Sequence, residues 1–321
     1  MNIARICRTP RRVDRRVWPL LVLLLVAGCA DRIHPIGSGY LFEPDKDERQ
    51  LWSSTNEATT ELAKSDKLYH DPQLTAYIES VAQRVLCAPP AVFSPLNFRV
   101  FILENDTLNA AAFPNGTIVI HTAMLGRIRS EAQLAMLLGH EITHATHRHA
   151  YQRFEKEEDK QVTLLIIKTA AGAAGGLIST GVSTISDLTA QAMMAGYGRD
   201  LEREADQVGL FRATQAGYDP RAAIGLWSQM LEAKGESKGL YMYASHPRMQ
   251  ERLESCQDLA GRMPVELVEA AKDVGEDRYA RAARALIERE LRQHEERGRT
   301  DLAESTRAYL QRFSASAGPQ R

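Results

Sequence analysis

His140-Glu141-Ile142-Thr143-His144 is the stretch on which the reading of this chain turns. It lies in a helix predicted from residue 131 to about 150, with Ser130 placed as N-cap and Glu131 in the first turn. Positions i and i+4 of a helix share one face a turn apart, so both imidazoles can reach one ion. Zinc takes histidine nitrogen at about 2.0–2.1 Å and wants four ligands. Glu141 stands next to His140 and can approach a metal-bound water from the edge of that face. The metal lowers the pKa of that water, and a carboxylate then takes its proton as it attacks a polarised amide carbonyl. A His-rich surface helix would carry the same letters, and His147 and His149 feed that alternative. His147 shares the face of His140 but sits a further turn along, too far to join the same ion. It is expected beside the ligands or in solvent.

A third ligand has to come from elsewhere. The strongest candidate lies in a helix predicted over 199–216, in Arg199-Asp200-Leu201-Glu202-Arg203-Glu204-Ala205-Asp206. Glu202 and Asp206 are i and i+4 and present a carboxylate pair on one face. Glu204 points about 200° away from Glu202 and is expected to be solvated.

At these residues the sequence resembles a known family. HEITH, followed 58 residues after His144 by Glu202-Arg203-Glu204-Ala205-Asp206, is similar to the HtpX and CAAX-prenyl-protease group of zinc metallopeptidases, in its BepA-like periplasmic lipoprotein branch. The family pattern is HExxH plus ExxxD. The resemblance implies that His140, His144 and Glu202 bind one Zn2+, that Glu141 is the general base, and that Asp206 orients a ligand histidine. Asn109-Ala110 through Pro114-x-Gly116 resembles the family's edge strand, where a substrate peptide adds by β-pairing. Ser245-His246-Pro247 resembles its histidine-proline element, so His246 is expected to stabilise the oxyanion or cap the zinc, with Arg252 close by. The likeness covers about 45–260, and the region beyond is far shorter than the repeat domain of that branch.

The N-terminus reads as an address. Arg5, Arg8, Arg11, Arg12, Arg15 and Arg16 precede the short apolar run Val17–Val26, too short to span a bilayer stably. Val26-Ala27-Gly28-Cys29 resembles a bacterial lipobox, which implies a signal peptide over 1–28, lipid on Cys29 and attachment to a membrane surface. Ala30 after the cysteine resembles an outer-membrane sorting signal. The expected setting is therefore the bacterial cell envelope, facing the periplasm. Removing 1–28 leaves 34 basic and 40 acidic residues, about −6, which argues against a nucleic-acid partner. Cys87 and Cys256 remain as one pair in an oxidising compartment, either bonded or as two buried thiols.

The expected organisation follows. Residues 29–46 form a polar tether, 47–262 a zincin-like peptidase domain, and 263–321 a charged helical extension containing a hairpin joined at Gly298. The fold class is α+β, mainly α, with strands over 98–103 and 117–121 and a turn at Pro114-Asn115-Gly116. Helices are predicted within 46–86, with Asp71-Pro72 opening the second, and at about 220–233, 276–297 and 301–313. Residues 162–195, rich in Ala, Gly, Ile and Leu, read as a packed core helix or a mobile flap over a cleft. The function expected is a zinc endopeptidase acting on misfolded or misassembled envelope proteins. The rival is a chaperone or assembly factor for outer-membrane proteins that holds clients without cutting them.

Overall fold

The structure, a computed structural model, describes residues 33–36, 42–88, 95–156, 197–232 and 249–313. Helix α1 (Lys46–Ala63) starts at Asp45, whose carboxylate accepts from the Glu48 amide at 2.9 Å. Helix α2 (Pro72–Leu86) starts at Asp71 in the same way, with Pro72 at the first position, where a missing N–H costs nothing. Its stripe Leu74, Ile78, Val81 and Val85 is buried.

A three-stranded sheet follows, with β1 (Arg99–Leu103), β2 (Ala110–Ala112) and β3 (Thr117–His121). The order is β1-β3-β2, with β3 parallel to β1 and antiparallel to β2. The β2–β3 reversal depends on Gly116, whose φ of +87° is open to glycine and strained for other residues. The Asn115 carboxamide oxygen accepts from the Thr117 amide at 3.0 Å and closes the turn. β2 is a terminal strand of the sheet among the described residues.

After α3 (Thr122–Arg127) comes α4 (Glu131–Thr146), capped by the Ser130 hydroxyl on the Gln133 amide. Every residue of α4 is buried, so the helix runs through the core and does not lie on its surface. It is shorter than expected. Instead of reaching about 150 it stops at Thr146, Arg148 takes a left-handed φ of +59°, and α5 (His149–Lys156) leaves in a new direction. Such a conformation costs about 1–2 kcal/mol for a residue with a Cβ. The Glu48 carboxylate holds it in place: Arg148 Nε donates to Oε1 at 2.8 Å and Nη2 donates to Oε2.

The remaining helices are α6 (Arg199–Gln215), α7 (Arg221–Glu232), α8 (Met249–Arg262), α9 (Val265–Ala270), α10 (Glu276–Ala282), α11 (Arg284–Glu296) and α12 (Thr300–Arg312). The expected helix over 276–297 is interrupted at Ala283, and Gly298 turns the chain at φ +66° as expected. Despite their charged composition, these last helices enter the main core through Tyr279, Leu286, Ile287 and Leu310. Their charges are partly interior: Arg127 and Arg129 share the buried Glu290 at 2.7 and 2.6 Å. Part of the expected tether is also packed down. The Ile36 amide donates to the Thr146 carbonyl at 2.7 Å and its side chain joins the core. Among the described residues no helix is long and apolar enough to cross a membrane.

Candidate metal centre

Helices α4 and α6 cross at two glycines. A Cβ on Gly209 would stand 2.6 Å from the His140 nitrogen and 2.7 Å from the Gly139 carbonyl carbon. A Cβ on Gly139 would stand 2.7 Å from the Gly209 oxygen. The two backbones therefore touch directly beside His140. Glu202, Asp206 and Gly209 are i, i+4 and i+7 on α6 and share a face. The contact at Gly209 thus delivers both carboxylates to the histidines of α4.

His140 Nε2 and His144 Nε2 approach to 3.0 Å. Glu202 lies 3.7 Å from the first through Oε2 and 3.5 Å from the second through Oε1. One ligand atom from each of His140, His144 and Glu202 falls within 4.8 Å of the others, and all three residues are buried. Two nitrogens bound to one zinc at tetrahedral angles would stand about 3.3 Å apart. The donor set fits that geometry, with two imidazoles, one carboxylate and a fourth position left to water or substrate.

Behind His140 stands a second layer. His140 Nδ1 is 3.0 Å from Asp206 Oδ1. Arg252 grips Asp206 with two bonds, Nε to Oδ2 at 2.9 Å and Nη2 to Oδ1 at 2.6 Å, and reaches Glu202 Oε2 at 3.5 Å. Its guanidinium lies over the Trp227 ring, 3.8 Å from the centroid. Arg252 Nη2 also comes within 3.0 Å of His140 Nδ1, but both are donors once that ring gives its proton to Asp206, so the carboxylate is the partner. Burial alone would raise the Asp206 carboxyl; Arg252 and His140 override it and hold the group well below the usual carboxylate range. Burial, seconded by Arg252, lowers the His140 pKa, which favours the neutral ring a metal needs.

Around His144 the arrangement differs. Tyr197 stacks on the ring with centroids 4.0 Å apart. The Tyr197 hydroxyl is pushed up by its enclosure and by the charge of Glu141, which is itself buried. His149 is fully buried and places Nδ1 2.8 Å from His144 Nδ1.

One expectation about a neighbouring residue, Glu204, is corrected, and for His147 and Cys256 the structure decides between two stated alternatives. Glu204 is half-exposed rather than solvated, with its oxygens 3.4 Å from His149 Nε2 and 3.8 Å from His147 Nε2. The turn at Arg148 brings these imidazoles round to α6. His147 is buried, and burial lowers its pKa to about 4 against the opposing charge of Glu204. It is neither in solvent nor among the grouped ligand atoms. Cys256 is a buried free thiol beside Asp206 and Arg252, so it is not bonded to Cys87, and burial pushes its pKa up to about 12. Cys29, His246 and residues 162–195 lie outside the described residues.

The structure places Asn109 and Ala110 at the sheet terminus. The Asn109 carbonyl accepts from the His121 amide at 3.0 Å, and the Phe113 amide donates to the Thr117 carbonyl at 2.8 Å. In this alternation Ala110 and Ala112 turn their backbone groups away from β3. Ala112 and Pro114 line a narrow recess with His144 and Ala145, so the edge of β2 runs beside α4.

Gly139, Gly209, Trp227, Tyr197 and His149 help build the site, yet sequence reasoning assigned a role to none of them. The glycines carried no local signal, because neither has an unusual backbone. His149 was visible but lay on the wrong side of an assumed continuous helix.

A buried helix bearing His-Glu-x-x-His, crossed by a second helix that supplies a glutamate, defines a zincin-like metallopeptidase. The model of peptidase family M48 matches residues 72–260, and the chain belongs to that family. It is 30% identical over 235 residues to the beta-barrel assembly-enhancing protease of Escherichia coli strain K12, covering 70% of this chain and 46% of that protein. It is 25% identical over 185 residues to the mitochondrial metalloendopeptidase OMA1 of Schizosaccharomyces pombe, covering 57% and 52%. The Bos taurus OMA1 metalloendopeptidase is 29% identical over 206 residues, covering 62% and 39%. The chain thus spans about half the length of these relatives or less.

Proposed function

We propose that this chain is a zinc endopeptidase of the bacterial cell envelope that cuts misfolded or misassembled envelope proteins. The observation that carries the reading is the convergence of His140, His144 and Glu202 on one buried point, with Glu141 in the same helix. His140, His144 and Glu202 are the ligands in this reading. A zinc ion held there would polarise a peptide carbonyl and acidify a water. Glu141 takes the proton of the attacking water and hands it to the leaving amine. Asp206 fixes the His140 ring by accepting its Nδ1 proton, and Arg252 holds Asp206. A client chain in extended form pairs with the outward side of the terminal strand β2, from the buried Ala110 to Ala112, which sets its scissile bond beside α4. His246 is assigned to the oxyanion or to a reversible cap on the metal, and Cys29 to lipid attachment that holds the domain at the outer membrane. The envelope setting is supported by the lipobox-like Val26–Cys29 and by the likeness to the beta-barrel assembly-enhancing protease.

The test is Glu141→Gln in the full-length lipoprotein, assayed on an unfolded outer-membrane protein. The expected result is bound zinc at the wild-type level with cleavage down about 10²- to 10⁴-fold. Undiminished cleavage would overturn the role of Glu141. If cells lacking the wild-type chain are rescued equally well by the variant, the non-cutting chaperone replaces the peptidase.

A further inference from the structure

The two ligand histidines differ in what stands behind them. Asp206 lies directly behind His140, whereas behind His144 stands a second imidazole, that of His149. Its Nδ1 faces His149 Nδ1 at 2.8 Å, and on the far side of that ring His149 Nε2 faces Glu204 Oε2 at 3.4 Å. We infer that His149 is a positioning residue for the metal centre, holding His144 through a ring-to-ring hydrogen bond while its far side faces the charge of Glu204. The inference rests on the zinc-site reading above.

Proton accounting fixes the direction of the ring-to-ring hydrogen bond. His144 offers Nε2 to the metal, since that atom faces His140 Nε2 and Glu202. Its single proton must then sit on Nδ1 and be donated. His149 Nδ1 is the acceptor 2.8 Å away, so the His149 proton sits on Nε2, which makes no hydrogen bond among the described residues but stands 3.4 Å from the Glu204 carboxylate. Both outer carboxylates come from α6, two residues apart. Asp206 reaches its histidine directly, while Glu204 points to the other side of the helix and needs an intermediary.

The backbone is shaped to supply that intermediary. In an unbroken helix, residue 149 would lie about 140° around the axis from residue 144. The left-handed Arg148, held by Glu48 of α1, ends α4 and lets α5 carry His149 back against His144. His149 is 0% exposed, so no water competes for its Nδ1.

The same atoms allow a different reading, a second cation between His147, His149 and Glu204. Proton accounting opposes it. A cation on His149 Nε2 would put the proton on His149 Nδ1 and make His144 Nδ1 the acceptor. His144 would then have to carry its own proton on Nε2, and the first site would lose a ligand. Nor do these three residues form a group of ligand atoms within 4.8 Å of one another.

The experiment measures zinc affinity of the full chain by chelator competition, together with the visible spectrum of the Co2+-loaded protein. His149→Asn keeps an acceptor near the Nδ1 position; His149→Leu keeps the bulk and removes the acceptor. The wild type must bind one zinc, which tests the underlying site independently. With that in hand, His149→Leu is expected to weaken zinc by about 10- to 100-fold and to shift the cobalt bands, while His149→Asn stays within about threefold. Equal affinity in all three proteins would overturn the inference. So would equal losses in both variants with matching drops in melting temperature, which would mark His149 as packing alone. A second zinc in the wild type, lost in either variant, would overturn it in favour of the two-cation reading.

Discussion

The two ends of α4 both bury charge, and they differ in how it is balanced. At the N-terminus, Glu131 accepts from the Tyr77 hydroxyl at 2.7 Å, from the Tyr218 hydroxyl at 2.9 Å, and from Arg278 at 2.9 and 3.0 Å. Its partners are protein groups drawn from α2, α10 and the segment before α7. At the other end, Glu202 and Asp206 stand against two imidazoles, with Glu141 buried in the same helix and Arg252 paired to both α6 carboxylates. Buried carboxylates set beside two imidazoles are a donor set suited to a divalent cation. One end is a joint that ties the C-terminal helices to the core; the other is built to receive a ligand. The lesson is that a buried carboxylate signals function when its neighbours are metal-ligating imidazoles and not tyrosines and arginines alone.

Gly209→Ala would disturb the functional end most. The new Cβ has only backbone atoms to push, the His140 nitrogen and the Gly139 carbonyl carbon. The expected cost is about 1–3 kcal/mol of stability, with weaker zinc binding because the α4–α6 spacing sets the distance from Glu202 to the histidines. Thermal melts with and without zinc check both parts, and a variant with unchanged affinity would show that the crossing does not set the site.

Glu131→Gln should weaken the joint and leave the site alone. Removing the charge leaves Arg278 and two tyrosine hydroxyls facing a neutral amide, at a cost of about 1–2 kcal/mol in urea unfolding. Zinc affinity should stay at the wild-type value; a parallel loss would mean that the two ends are coupled through α4.

The smallest effect is in pH. Burial would raise the Glu131 carboxyl, but Arg278 and the tyrosines hold it below its ordinary value. A carboxyl depressed in the folded state stabilises above its unfolded pKa, near 4.3, and that contribution is lost as pH falls through the folded value. Glu131→Gln should therefore lose less stability than the wild type on acidification below about pH 5. Equal acid sensitivity would contradict the assignment.

Much of this was legible in advance. The i, i+4 spacing of His140 with His144, and of Glu202 with Asp206, is a local property of helices, and the structure keeps both. The N-caps at Ser130 and Asp71 and the turn at Gly116 are local as well. What could not be read depends on contacts between distant segments. The break at Arg148 has no sequence signal, because its left-handed turn rests on Glu48, 100 residues earlier. The glycine crossing exists only once α4 and α6 meet. The charged C-terminal helices read as an extension apart from the peptidase domain because pairings such as Glu290 with Arg127 and Arg129 cross more than 160 residues.

The most direct test of the central claim is zinc stoichiometry in the wild type, Glu202→Ala and Glu204→Ala, measured on protein freed of adventitious metal. The account predicts one zinc per chain in the wild type and in Glu204→Ala, bound more weakly in the latter, and none in Glu202→Ala. Equal zinc in all three would contradict it and place the third ligand elsewhere, with His246 the first residue to substitute.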